Sequence, residues 1–168
     1  QVGQRQFLEL LATGGGFFET LQTLVELIEE QWPGMLGLVL LLDEDGKHLH
    51  VGASVSLPQD YVKSIEGLEI GPRVGSCGTA CYMGERVIVE DIARDSRWEG
   101  LRSLALGHGL RACWSVPVLS AEGETLLGTF GTYYREPASP SDADRFNLQQ
   151  AAALAALAII RDRDWYRY

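Results

Sequence analysis

At 168 residues, with 46% hydrophobic and 22% charged residues, the chain is one domain by size, long enough to bury a core and too apolar for a disordered segment. A net charge of −9 with no offsetting Lys/Arg cluster repels a phosphate backbone, so nucleic acid is not expected as a partner. No apolar run reaches the ~18 residues of a membrane span, and three cysteines without a signal peptide predict reduced thiols in the cytoplasm.

The pattern predicts a short helical stretch around residues 6–11, broken by Gly14, Gly15 and Gly16. Residues 17–28 carry Phe17, Leu21, Leu24 and Ile28 at helical spacing, with Glu19, Glu26, Glu29 and Glu30 tending to the other side. Trp32, Pro33 and Gly34 stop this helix. Residues 36–42 form an apolar run of strand length, and alternation resumes from Lys47 to Val51, so a β-hairpin turns at residues 43–46. The acidic turn lacks the later ligands and terminal Glu of a calcium loop, which leaves a solvated turn.

Residues 58–65 read as a short helix, 86–89 as a short strand and 98–108 as an irregular or helical piece. Residues 112–119 and 126–134 make a second hairpin. Ser139, Pro140 and Asp142 predict an N-cap, a first helical position and a first-turn acid for a final helix running through "AAALAALAII". Helices gathered at the two ends around hairpins imply an α+β fold: an antiparallel sheet of five or six strands backed by the long terminal helices. The last helix is apolar on every face from 151 to 160, which suggests a homodimer through the terminal helices. Burial under both the sheet and the N-terminal helix is the alternative. The initial Gln1 and a helix that runs nearly to the end fit a single domain, with a core at about 17–160, cut from a longer signalling protein.

The segments "GPRVGSCGTACYMGERVIVEDIARDSRW", "HGLRACWSVPV" and "LLGTFGTYYREP", in this order, resemble the GAF domain of bacterial sensory proteins. The resemblance covers residues 17–160. It implies a small-molecule-binding or signalling input module linked to a histidine kinase, a cyclic-dinucleotide enzyme or a transcription activator. It also implies a pocket on one sheet face, roofed here by residues 61–109, with Cys77 and Cys81 beside it. One branch of the family, the free methionine-(R)-sulfoxide reductases, shares the "CGTA" segment. Its reacting cysteine lies in the stretch equivalent to residues 93–110, and its partner cysteine lies upstream of "CGTA"; both positions lack Cys here. The Asn-Lys-x-Phe-x-Asp-Glu motif of cyclic-nucleotide binders is missing, and no Cys is followed by the His of bilin binders.

Cys77 falls near the start of a short helix, where the dipole favours a thiolate, and Cys81 lies one turn later. With Cys113 they could make a redox switch, or they could be buried pocket-wall thiols. CxxxC is not a zinc spacing, and a lone loop His108 argues little for haem, so no metal or cofactor is assigned. The expected pocket draws apolar walls from Tyr61, Trp98, Leu101, Leu104 and Leu106 and polar contacts from Arg102, Arg111, Ser115 and Thr132, with His108 as a loop residue capping it. Arg111 is the candidate clamp for a carboxylate or other planar anion. The ligand itself has no selecting motif.

Overall fold

The computed structural model describes residues 2–166. Two helices, α1 (Val2–Thr13) and α2 (Phe17–Gln31), precede the hairpin β1 (Leu36–Leu42) and β2 (His48–Ser54). Next come α3 (Gln59–Ile65), β3 (Leu68–Glu69), α4 (Gly75–Met83), β4 (Val87–Val89) and α5 (Arg102–Gly107), with a 3₁₀ turn at Ser96–Trp98. The second hairpin, β5 (Ala112–Leu119) and β6 (Leu126–Tyr134), leads into α6 (Asp142–Tyr166). The strands form one antiparallel sheet in the order β3-β2-β1-β6-β5-β4, so the fold is α+β as expected.

Strand alternation divides the apolar residues between two layers. On one face Val39, Trp114, Val116 and Phe130 meet Leu21, Leu24 and Val25 of α2 and Leu148, Ala151, Ala152 and Ala155 of α6. On the other face Leu38, Leu40, Val89, Cys113 and Tyr133 meet Tyr61, Cys77 and Trp98 of the short elements. The alanines of α6 lie against β5, β6 and α2 together, which accounts for a helix apolar on more than one side. Phe146 and Leu157 of the same helix stay exposed.

Three local expectations change. First, α1 extends beyond 6–11 to Val2–Thr13, and the Arg161 guanidinium caps its end, donating to the carbonyls of Leu10 (3.1 Å), Leu11 (3.2 Å) and Gly15 (2.8 Å). Second, α6 is capped by Ser141, not Ser139. Ser141 Oγ accepts from Asp144 N at 3.0 Å and Asp144 Oδ2 accepts from Ser141 N at 2.9 Å, a reciprocal capping box, while Ser139 Oγ donates to Glu90 at 2.6 Å. Third, β3 adds a two-residue strand with no sequence pattern of its own. It pairs with β2 at His48↔Glu69 and Leu49↔Leu68.

Candidate functional site

The roof over the second sheet face is α3, α4 and the loop through α5, carried between the edge strands β3 and β4. Helix α4 is buried from Gly75 to Cys81 because it fills the space above β5 and β6. Gly75 opens it at φ +63°, where an added Cβ would stand 3.3 Å from the Trp98 ring, and Gly84 closes it in the left-handed conformation.

The register of β5 and β6 sets what lies beneath. Cys113 pairs with Tyr133, Ser115 with Gly131 and Pro117 with Thr129, so these six share the roofed face. Into the gap at Gly131 comes Cys77, whose sulfur would be only 2.8 Å from a Cβ added there. Cys77 Sγ lies 2.8 Å from Ser115 Oγ, and Cys113 Sγ lies 3.8 Å from the same oxygen. Trp98 Nε1 donates to Ser76 Oγ at 3.0 Å, and Ser76 Oγ donates to the Cys113 carbonyl at 2.8 Å, tying roof to strand. The Tyr61 and Tyr133 hydroxyls bond to each other at 2.8 Å.

These groups border a cavity of about 10 Å³, room for roughly one water, walled by Leu40, Ile65, Leu68, Val74 and Leu101 as well as Tyr61, Cys77, Trp98 and Tyr133. No Lys, Arg, Asp, Glu or His lines it. Burial pushes Tyr61 and Tyr133 well above the ordinary tyrosine range, so both stay neutral donors. The Cys113 thiol, backed by the Ser115 and Thr129 hydroxyls, holds Cys77 below the ordinary thiol range against the opposing effect of burial. Burial raises Cys113, and raises Cys81 to about 12.

Of the residues singled out in the sequence, Tyr61, Cys77, Trp98 and Leu101 line this cavity, and Cys113 and Ser115 stand behind Cys77. Cys81 is buried in the same core. His108 lies at the rim: its Nδ1 donates to the Leu104 carbonyl at 2.9 Å and its ring is edge-on to Tyr61 at 5.8 Å. Arg102 is spent on the loop before it, donating to the carbonyls of Ile92 (3.1 Å) and Asp95 (2.7 Å). Arg111 faces Asp91 at 3.6 Å rather than the cavity, and its Nε is buried with no partner among the described residues. Thr132 lies on the helix-covered face, donating to the Trp114 carbonyl at 3.3 Å and accepting from the Tyr134 hydroxyl, because β6 alternates and Tyr133 takes the roofed side. Thr129 and Gly131 went unrecognised in the sequence. Only the pairing of β6 with β5 fixes which parity of residue faces the roof.

At the sheet edge, His50 sits between Glu66 (Nδ1 to Oε2, 2.6 Å) and Asp43 (Nε2 to Oδ2, 2.9 Å). Those bonds, Glu66's first, raise its pKa above the ordinary histidine value. Among the described residues, Asp43, Asp45 and His48 at the hairpin turn are the one group of three metal-ligand side chains drawn together. Cys77, Cys81, Cys113 and His108 form no such group. An open groove of about 370 Å³ runs between α1, α2 and α6, walled by Phe7, Leu24, Ile28, Trp32, Phe146 and Leu154. No helix among the described residues is long and apolar enough to cross a membrane.

The GAF domain family model matches residues 16–160. The chain is 40% identical over 158 residues to the methyl sulfide methyltransferase-associated sensor of Methanosarcina acetivorans, a match that takes in 94% of this chain and 16% of that protein. Thus the chain spans about a sixth of that relative's length. Among solved structures it is similar to a domain of a two-component sensor histidine kinase protein from Sinorhizobium meliloti, with a TM-score of 0.72 and 23% identity over 89% of this chain and 94% of that one. It is also similar to the free methionine-R-sulfoxide reductase of Neisseria meningitidis, solved with its substrate, with a TM-score of 0.69 and 18% identity over 95% of this chain and 87% of that one. These two structures share the fold.

Proposed function

Because this chain belongs to the GAF domain family, we propose that it is a non-enzymatic sensory input module that receives a small uncharged molecule beneath α3 and α4 and regulates a linked output domain. The observation that carries this reading is the cavity closed by the Tyr61–Tyr133 hydroxyl pair. It is walled by aromatic and aliphatic side chains and has no charged group to neutralise an ionic ligand. At about 10 Å³ it is a closed state. A ligand larger than water enters by parting Tyr61 from Tyr133 and lifting α3, and its binding energy offsets that opening.

The signal leaves through the sheet. Cys113 and Ser115 face the site while Trp114 and Val116, between and beyond them on β5, pack under α6. A shift of β5 therefore displaces the helix layer. A histidine kinase or a cyclic-dinucleotide enzyme in the cytoplasm is the output we favour. A homodimer through the terminal helices would carry the movement. The groove between α1, α2 and α6 and the exposed Phe146 and Leu157 support that interface. The non-enzymatic reading rests on residues 93–110, which lack the cysteine that the reductase branch uses there. Turnover of free methionine sulfoxide by the purified domain would reverse it.

The test of ligand binding compares native with denatured masses of the purified domain and of Trp98→Ala. An added mass present only in the native wild type and lost in the variant supports the reading. A domain that carries none, and whose thermal midpoint no member of a panel of neutral metabolites raises, overturns it.

A further inference from the structure

The three buried thiols are not equivalent. Cys81 has no hydrogen-bond partner among the described contacts, and burial together with the Cys77 charge drives its pKa to about 12. Cys77 and Cys113 instead share one hydroxyl, that of Ser115, at 2.8 and 3.8 Å. We propose that Cys77 and Cys113 form a peroxide-responsive pair: Cys77 is oxidised first, Cys113 resolves it to a disulfide within the domain, and Cys81 takes no part. This goes beyond the ligand-binding reading and does not depend on it.

Four observations carry the assignment. First, both sulfurs flank the Ser115 oxygen, and the missing side chain of Gly131 makes the space that the Cys77 sulfur occupies. Second, Thr129 Oγ1 is fully buried, faces Cys77 from β6 and has no hydrogen-bond partner among the described residues, although Thr129 lies close enough to help hold Cys77 down. An unpaired buried hydroxyl is costly, and here it stands where a thiolate or a departing hydroxide would accept from it. Third, Cys77 sits in the first turn of the nine-residue α4, where the helix dipole favours its anion, while burial keeps the proton on Cys113. Fourth, Cys77 borders the cavity of about 10 Å³, which as it stands has room for water and for an oxidant close to water in size.

The chemistry balances. The Cys77 thiolate attacks one oxygen of hydrogen peroxide. The O–O bond breaks, the leaving hydroxide takes up the proton that Cys77 lost on ionising and becomes water, and Cys77 carries a sulfenic acid. The Cys113 sulfur then attacks the Cys77 sulfur. The S–S bond forms, the S–O bond breaks, and the proton of Cys113 leaves with the hydroxide as a second water. Two thiols lose two electrons, and one peroxide becomes two waters. The new bond fastens α4 to β5, the strand whose other face supports α6.

The experiment treats the native domain with hydrogen peroxide, alkylates the remaining thiols, and maps linked peptides by mass spectrometry. The expected product has lost two hydrogens, links Cys77 to Cys113 and leaves Cys81 free for alkylation after denaturation. Cys81→Ser gives the same product. Cys113→Ser stops at a sulfenic acid on Cys77 that dimedone traps, Cys77→Ser gives neither, and Thr129→Val, which keeps the shape, forms the bond several-fold more slowly. A Cys77–Cys81 link, a link between two chains, oxygen added to wild type without a link, or a native domain inert to peroxide that oxidises the denatured chain would each overturn the assignment.

Discussion

At Gly131 a side chain has no room: its Cβ would meet Cys77 Sγ at 2.8 Å and Ser115 Oγ at 3.3 Å. Gly131→Ala should therefore push the Cys77 sulfur off Ser115 and lower stability by about 1–3 kcal/mol, the usual cost of overpacking a filled core. Urea denaturation measures the loss, and faster alkylation of Cys77 in the native variant reports the displaced thiol. An unchanged midpoint would mean that the sulfur has another place to go. Cys113 and Ser115 are legible as pocket candidates on β5 and lie on the roofed face, whereas the β6 candidate, Thr132, lies on the helix-covered face and Thr129 takes the roofed one. The two threonines differ by an odd number of positions, and alternation says only that they face opposite ways. Which of them faces the roof depends on the pairing of Ser115 with Gly131, a long-range register that no local pattern carries.

Among the elements, β3 is the one least able to stand alone. Its two residues pair with β2, and side chains reinforce them: Glu66 holds His50 and the Val51 N–H, and Glu69 lies 3.7 Å from His48 Nε2. Burial works against the Glu66 anion, but the bonds from His50 and Val51 more than offset it, and its pKa falls below the ordinary value. Since the His50 pKa is raised on folding, its stabilising contribution is complete below the ordinary histidine value and is lost as pH rises through the raised one. Titration followed by NMR should place His50 above ordinary histidines, and Glu66→Gln should bring it back toward them. A His50 that titrates alike in both proteins would remove the clamp from β3. The hairpins and the long helices were legible because burial imposes periods of two and 3.6 residues on whole segments. A two-residue strand has no period to read. The α6 cap was legible as a Ser-Pro-Ser-Asp cluster but assigned one serine too early, since Ser139 and Ser141 offer the same hydroxyl and only Ser141 meets Asp144.

For the whole molecule, the helix layer closes through Arg161, which joins the end of α1 to α6 over about 150 residues of chain. Arg161→Gln should free three carbonyls, cost on the order of 1–2 kcal/mol after allowance for partial exposure, and speed amide exchange in α1 while β5 and β6 keep theirs. Uniform exchange changes across the sheet would show that α1 is not a separable layer. The apolar face of α6 was legible as a continuous run, but its two readings, burial and partner contact, share one composition. The Ala residues at the sheet and α2 answer for the first, and Phe146 and Leu157 remain for the second.

The single-layer sheet also bears on how this domain can be rebuilt. Its two faces hold separate sets of side chains, Trp114, Val116 and Phe130 toward the helices and Cys113, Ser115 and Gly131 toward the roof, on the same two strands. Substitutions on opposite faces meet different side chains, so what coupling there is runs through the shared backbone of β5 and β6. A chimera can then take the odd-numbered residues of β5 and β6, with the roof, from a relative and keep the even-numbered set with its helices. Such an exchange replaces one layer of the molecule and leaves the other with its own partners in place.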